Sequence, residues 1–380
     1  MQEWKKNIRQ VVPYVPGEQP KEANVIKLNT NENPYPPSPK VKEQCAKICA
    51  KTEELRLYPD PTAGMLVEAI AKYKGLDSNQ VFVGVGSDDV LAMAFLTFFN
   101  SEKPIFFPDI TYSFYDVWAD LFKIPYDKKP LDENFMIKKD DYYWKNGGVV
   151  FPNPNAPTGV LMPLDEIEDI IAHNQDVIVI VDEAYVDFGG HSAQELLSKY
   201  ENLLVVQTFS KSRSMAGMRI GYAMGSAELI KALNDVKYSF NSYTMNRTSI
   251  LLGTASIEDD VYFKETVEKI VNTREWFKAE MKKLGFTFPD SKANFLFITH
   301  PEYQAKDLFQ ALREEGIYVN VASDRESCDF YFPGIYMRDE MVVGVTASGL
   351  DHKKAKRVRE EIQKALEKVL KEQDDEDEEK

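Results

Sequence analysis

Residues 177–181, Val-Ile-Val-Ile-Val, are five β-branched residues in a row. A strand with one wet face alternates apolar and polar side chains. A run without alternation reads as a central strand of a parallel sheet, covered by helices on both faces. It ends in Asp182, Glu183, Ala184 and Tyr185. Shorter apolar runs recur at 81–83, 105–107, 149–151 and 203–206. From about residue 64 strand and helix alternate, the pattern of an α/β fold with a mostly parallel central sheet sandwiched by helices.

Open α/β sheets bind ligands beyond the carboxyl ends of their strands. Ser87, Tyr112, Asn155, Asp182, Ser210 and Lys211 each come just after one of these runs. Ser87 and Asp88 open a helix behind the glycine turn of GVGSDD, a potential anion site that lacks the GxGxxG pattern of a dinucleotide fold. The two aspartates there would repel a phosphate but equally suit ordinary capping. Asn155 sits in the stiff loop PNPNAPTG, 152–159.

The run 203–206 breaks into Thr208, Phe209, Ser210 and Lys211, with Arg219 eight residues on. A lysine at the mouth of a buried strand is a usable nucleophile toward a carbonyl. The two hydroxyls and the guanidinium suit a phosphate monoester. Pyridoxal phosphate, held as a Schiff base on Lys211, satisfies both halves. Taken alone, Lys211 reads equally well as a surface lysine after a strand. Asp182, a carboxylate leaving a buried strand, needs a cation, and a protonated pyridine nitrogen would serve. An arginine partner or a helix cap is its alternative reading.

Residues 1–39 read as a proline-rich N-terminal arm without regular structure, with a helix starting near Pro39. Residues 40–260 form the large cofactor-binding domain. Residues 261–371 read as a smaller α+β C-terminal domain: a long helix from about 261 to 285, the strand FLFIT (295–299), the helix of AKDLFQALREEG, the strand IYVNV and a last helix near 351–371. Residues 372–380 are an acidic tail. In RLYPDP, 56–61, Tyr58 reads first as a packing residue.

With 43% hydrophobic residues the chain is globular, and its net charge of −15 without a basic stripe argues against nucleic acid. No apolar run reaches the roughly 18 residues of a membrane span. The segment MQEWKKNIRQ lacks the apolar core of a secretory signal. Three cysteines without disulfide or zinc spacing point to a reducing cytoplasm and to no metal.

KLNTNENPYPPSP, RLYPDP, GVGSDD, PDITYSFY, NPNAPTG, VDEAY and TFSKSRSMAGMRIGY occur in that order over residues 10–316. As a set they resemble the fold-type-I pyridoxal-phosphate aminotransferases, and within them the histidinol-phosphate aminotransferase family. The resemblance implies amino-group transfer from a small-molecule donor to a 2-oxo acid such as 2-oxoglutarate. It makes Lys211 the Schiff-base lysine and proton shuttle, Asp182 the partner of the pyridine nitrogen, and Tyr112 the residue stacked on the ring. It assigns Tyr185 and Asn155 to the ring hydroxyl, and Ser87, Asp88, Thr208, Ser210 and Arg219 to the phosphate. Tyr58 would reach the neighbouring subunit's phosphate, implying a homodimer with a shared active site. Tyr14 and Arg325 are candidate substrate contacts.

The sequence departs from the family pattern in places. Ala156 stands where relatives often carry asparagine. Asn320 and Gly344 stand where two substrate-clamping arginines are expected. Arg338 would lie some 20 Å from Gly344 if both were on one extended strand, which leaves Arg325 as the substitute. Two rival readings follow: a decarboxylase or lyase of the same fold, and a catalytically weak variant that keeps only the cofactor site.

Overall fold

In the computed structural model, residues 3–14, 16, 19–21 and 25–319 are described in full, and 334–338 and 341–345 by their backbone. Asn320, Arg325, Cys328, the helix expected near 351–371 and the acidic tail lie outside the described residues. The chain divides into two units, residues 30–308 and residues 1–29 together with 309–380.

The strands are β1 (Ile26–Lys27), β2 (Val81–Gly84), β3 (Ile105–Pro108), β4 (Tyr126–Lys129), β5 (Val149–Pro152), β6 (Val179–Asp182), β7 (Leu203–Thr208), β8 (Gly221–Met224), β9 (Ile317–Tyr318), β10 (Gly334–Arg338) and β11 (Met341–Val345). The helices are α1 (Pro39–Cys49), α2 (Gly64–Lys74), α3 (Ser87–Phe98), α4 (Phe114–Phe122), α5 (Leu164–His173), α6 (Ala227–Phe240), α7 (Arg247–Ile257), α8 (Asp260–Lys283) and α9 (Ala305–Glu314). The expected helix start is met: Pro39 opens α1, and the Ser38 hydroxyl caps it by accepting from the Val41 N–H.

Seven strands form one sheet in the order β2-β8-β7-β6-β5-β3-β4. Only β8 runs antiparallel to its neighbours; the other pairings are parallel. Strand β6 lies in the middle, wholly buried. Its alternate residues feed two cores. Val179 and Val181 pack with residues of α2, α5 and α7, among them Leu66, Ile170 and Ile250. Ile180 packs with residues of α3, α4 and α6, among them Phe95, Trp118 and Leu233. The absence of alternation in 177–181 thus has its cause: apolar layers press on both faces. Edge strand β4 carries exposed Asp127 and Lys128, which blunt it against pairing with another chain.

Several expectations fail locally. FLFIT is not a strand; its ladder contact is the single bridge Thr287–Thr299. An apolar run becomes a strand only where a partner offers a row of backbone groups. The arm is not wholly irregular, since Glu3–Asn7 forms a 3-10 turn and β1 pairs in parallel with β9. That partner is distant in sequence and invisible to local reading. Arg338 and Gly344 do not share one extended strand, because β10 and β11 form an antiparallel pair in which Arg338 faces Met341. Gly344 is therefore three residues along the opposite strand, about 10 Å away.

Ile180 has no exposed surface, while Val261 on α8 is 70% exposed. Ile180→Ala should lower unfolding free energy by about 2–5 kcal/mol, and Val261→Ala should change it by less than about 0.5 kcal/mol. Urea unfolding of the two variants beside the parent checks this, and equal losses would contradict the two-faced burial of β6.

Candidate active site

The carboxyl ends of β2, β3, β5, β6 and β7 bring together most of the residues singled out in the sequence. At the end of β6, Asp182 is 4% exposed. Its Oδ2 accepts from the Tyr115 hydroxyl at 2.9 Å and its Oδ1 from the Ala184 N–H at 3.3 Å. Burial pushes its carboxyl up to about 6; the Tyr115 and Ala184 bonds oppose that rise, and the nearby Asp88 charge adds to it. Among the described residues Asp182 forms no ion pair. It is a carboxylate prepared for a cation.

Lys211 follows the turn after β7. Its Nζ donates to the Thr30 carbonyl at 2.8 Å and lies 5.5 Å from the centre of the Tyr185 ring. Asn33 donates to the carbonyls of Lys211 at 2.9 Å and Ser212 at 3.2 Å, pinning the turn. Tyr185 accepts from Asn31 Nδ2 at 3.1 Å and meets Phe295 edge-on at 5.0 Å. In the same turn the Thr208 hydroxyl donates to the Ile220 carbonyl (3.2 Å), accepts from the Ser210 N–H (3.1 Å) and lies 3.0 Å from Ser210 Oγ.

The third corner is the start of α3. Gly86 has φ +89°, and a Cβ there would come within 2.5 Å of the Arg219 guanidinium. A Cβ on Gly221 would lie 2.3 Å from the backbone of Gly86 and Ser87. Both positions must be glycine for β8 and Arg219 to approach this turn so closely. The first-turn N–H groups of α3, beginning at Ser87, have no acceptor within the helix. Asp89 turns back to accept from the Val85 N–H at 2.9 Å, which ties the glycine turn to the start of the helix. Asp88 accepts from the Tyr112 hydroxyl at 2.8 Å and from Arg219 Nη2 at 2.9 Å, joining two further predicted residues.

Asn155 is buried near this group, but its amide is committed. It donates to the Ile110 carbonyl (2.9 Å) and Thr158 Oγ1 (3.1 Å) and accepts from Thr111 Oγ1 (3.1 Å). Tyr58 is 79% exposed, with its ring centre 4.8 Å from that of Tyr243. Tyr14 belongs to the other unit. Sequence reasoning missed Tyr115, Asn31, Asn33 and Thr30. The spacing of Tyr112 and Tyr115, one helical turn apart, could have exposed the first. No periodicity marks the others.

This geometry has known counterparts. The family model for aminotransferase class I and II matches residues 23–326. The chain belongs to that family, whose members depend on pyridoxal phosphate and move an amino group between an amino donor and a 2-oxo acid. It is 53% identical over 316 residues to a histidinol-phosphate aminotransferase of Lactococcus lactis subsp. cremoris (strain MG1363), covering 83% of this chain and 88% of that one. It is 50% identical over 340 residues to a histidinol-phosphate aminotransferase of Clostridium botulinum (strain Okra / Type B1), covering 90% and 96%. Among solved structures, the histidinol-phosphate aminotransferase of Sinorhizobium meliloti in complex with pyridoxal-5'-phosphate superposes with a TM-score of 0.71 at 21% identity, covering 79% of this chain and 83% of that one. The Clostridium acetobutylicum enzyme gives 0.71 at 22%, covering 78% and 89%. Those two likenesses show the fold.

The residues present fit the cofactor: a buried carboxylate lacking a cation, an amine beside an aromatic ring, and a guanidinium over a glycine turn. In the cofactor-free protein the raised Asp182 carboxyl has a consequence for stability. The folded state then binds the proton more tightly than the unfolded state, so this group's contribution falls as pH rises from about 4 to about 6. Asp182→Asn removes that loss. The cofactor-free variant should gain on the parent by up to about 3 kcal/mol between pH 4 and pH 7. Thermal unfolding across that range measures it, and a constant difference would refute the shift.

Proposed function

We propose that this chain is a transaminase of the histidinol-phosphate type, passing an amino group to a 2-oxo acid such as 2-oxoglutarate. The observation that carries this reading is the convergence of Lys211, Asp182 and the Tyr112–Asp88–Arg219 chain on one sheet end. About 50% identity to histidinol-phosphate aminotransferases supports the substrate class.

Lys211 would be the residue that holds the cofactor, its amine condensing with the aldehyde and releasing water, and the freed amine would then carry the proton from the substrate Cα. Its Nζ would give up its hydrogen bond to the Thr30 carbonyl on reaction. Asp182 holds a proton on the pyridine nitrogen, which lets the bound cofactor draw electrons from the substrate Cα. Tyr112 stacks on the ring, and Tyr185 bonds the ring hydroxyl. Asn155 reaches that hydroxyl only by exchanging its bond to Ile110 or Thr158. Arg219, Ser87, Asp88, Thr208 and Ser210 receive the phosphate. Asn320 and Gly344 in place of clamping arginines weaken the grip on substrate, with Arg325 as the substitute; Tyr14 is the second candidate substrate contact. The exposed thiols of Cys45 and Cys49, one turn apart on α1, suit a reducing cytoplasm.

Borohydride reduction of the holoenzyme should fix the cofactor on Lys211, and Lys211→Ala should fold without a covalent link. A label on another lysine overturns the assignment. Arg325→Ala should lower kcat/KM for histidinol phosphate by about 1.5 to 3.5 decades, the loss expected for an unpaired carboxylate. An unchanged value removes Arg325 from the site, and carbon dioxide release without amino transfer favours the lyase reading.

A homodimer is part of this reading. Tyr58 and Tyr243, whose ring centres lie 4.8 Å apart, are both exposed and offer apolar surface to a partner. Sedimentation at micromolar concentration should show a dimer. Monomers that retain cofactor would take Tyr58 out of the neighbouring site.

A further inference from the structure

Tyr115 lies in the first turn of α4, and its side chain is fully buried. Its ring stands edge-on to Phe107 at 5.9 Å and to Tyr112 at 5.8 Å, and is stacked on Phe95 at 6.1 Å. Packing alone would be served by phenylalanine, because a hydroxyl taken into an apolar core costs free energy unless it is bonded. This hydroxyl bonds Asp182 Oδ2 at 2.9 Å. We propose that Tyr115 is a positioning residue for Asp182, holding the charged carboxylate in one rotation so that it meets the ring nitrogen of pyridoxal phosphate. The inference rests on the reading of Asp182 given above.

Three observations support it. The bond to Oδ2 is shorter than the 3.3 Å contact from the Ala184 N–H to Oδ1. Without Tyr115, Oδ2 would face an apolar wall, and the carboxylate would lose its main protein donor. The donor itself is rigid: a tyrosine has two side-chain torsions, and three aromatic neighbours fix this ring. Finally, Tyr115 touches Tyr112, whose hydroxyl leads through Asp88 to Arg219. Tyr112, two residues before α4, and Tyr115 in its first turn therefore set the separation between the stacking ring and the carboxylate, and a series of contacts joins the nitrogen end of the site to its phosphate end.

The test uses holoenzyme reconstituted with pyridoxal phosphate carrying 15N in its ring, whose NMR signal reports how the proton is shared between that nitrogen and Asp182. Tyr115→Phe should move the signal toward neutral pyridine and lower kcat about tenfold to a hundredfold, the size of a lost hydrogen bond to a charged group. In an Asp182→Asn background the same change should alter kcat by less than about twofold, because the hydroxyl acts through the carboxylate. Placing 3-fluorotyrosine at 115, a stronger donor of nearly the same size, should move the signal the opposite way, and keeps the test open if the phenylalanine variant folds poorly. An unmoved signal in the Tyr115 variants, with a clear shift in Asp182→Asn, overturns the proposal. Equal losses of kcat in both backgrounds overturn it too. A signal indifferent to Asp182→Asn overturns instead the reading of Asp182 beneath it.

Discussion

A carboxylate at the end of the central strand, closed off from water, is the constraint on which the rest of this site depends. Ionised and unpaired, such a group is costly enough to favour its own protonation, and burial, only partly offset by the bonds from Tyr115 and Ala184, pushes Asp182 up to about 6. Two ways out exist, a proton or an external cation. The surrounding elements leave room for the second. Helix α4 supplies a neutral donor at Tyr115, and the turn after β6 supplies the Ala184 N–H. Neither carries charge, so among the described residues Asp182 has no cationic partner, and a pyridinium would fit there.

The phosphate end is built on close backbone approach. Two chain segments meet where Gly86 and Gly221 carry no Cβ, and Arg219, itself in the left-handed region at φ +51°, lies over the turn. The Asp88–Arg219 pair is partly exposed and stabilises the fold little. Its value lies in geometry, since the same carboxylate fixes the Tyr112 hydroxyl. The turn bearing Lys211 is tied down from a different direction, by Asn33 and Thr30 from the N-terminal side. A segment read as irregular because of its prolines thus acts as a clasp on the turn bearing Lys211.

What could be read from sequence follows from the range of the interactions involved. Strand β6 declared itself because two apolar layers select β-branched residues at every position. Asp182 could be singled out because a carboxylate closing a buried strand needs a partner, whereas Lys211, three residues beyond the end of β7, reads equally well as a surface lysine when taken alone. Tyr115 did not, since a tyrosine in an aromatic helix face looks like packing until its hydroxyl is seen to reach Asp182, 67 residues away. Strand β8, Gly-Tyr-Ala-Met, is short and begins with glycine, so its antiparallel place between β2 and β7 came only from the fold. FLFIT shows the opposite error, since β propensity without a partner row leaves an extended segment and a single bridge.

The adjacent acidic residue shows how hydrogen bonding distinguishes two equally buried carboxylates. Glu183 follows Asp182, is just as buried, and is pushed up to about 7 by the same loss of water. Its oxygens, however, accept from Ser192 Oγ at 2.6 Å, the Ala193 N–H at 2.6 Å and Gln207 Nε2 at 2.7 Å. Gln207 is in turn held by the Tyr222 hydroxyl. Three short bonds take up most of the acceptor capacity of Glu183, and they tie the loop at 192–193 to β7. Asp182 has one good donor and one long one, with capacity left toward the sheet end where Lys211 and Tyr112 gather. Burial raised both groups; the unused acceptor capacity is what distinguishes the one available to a ligand.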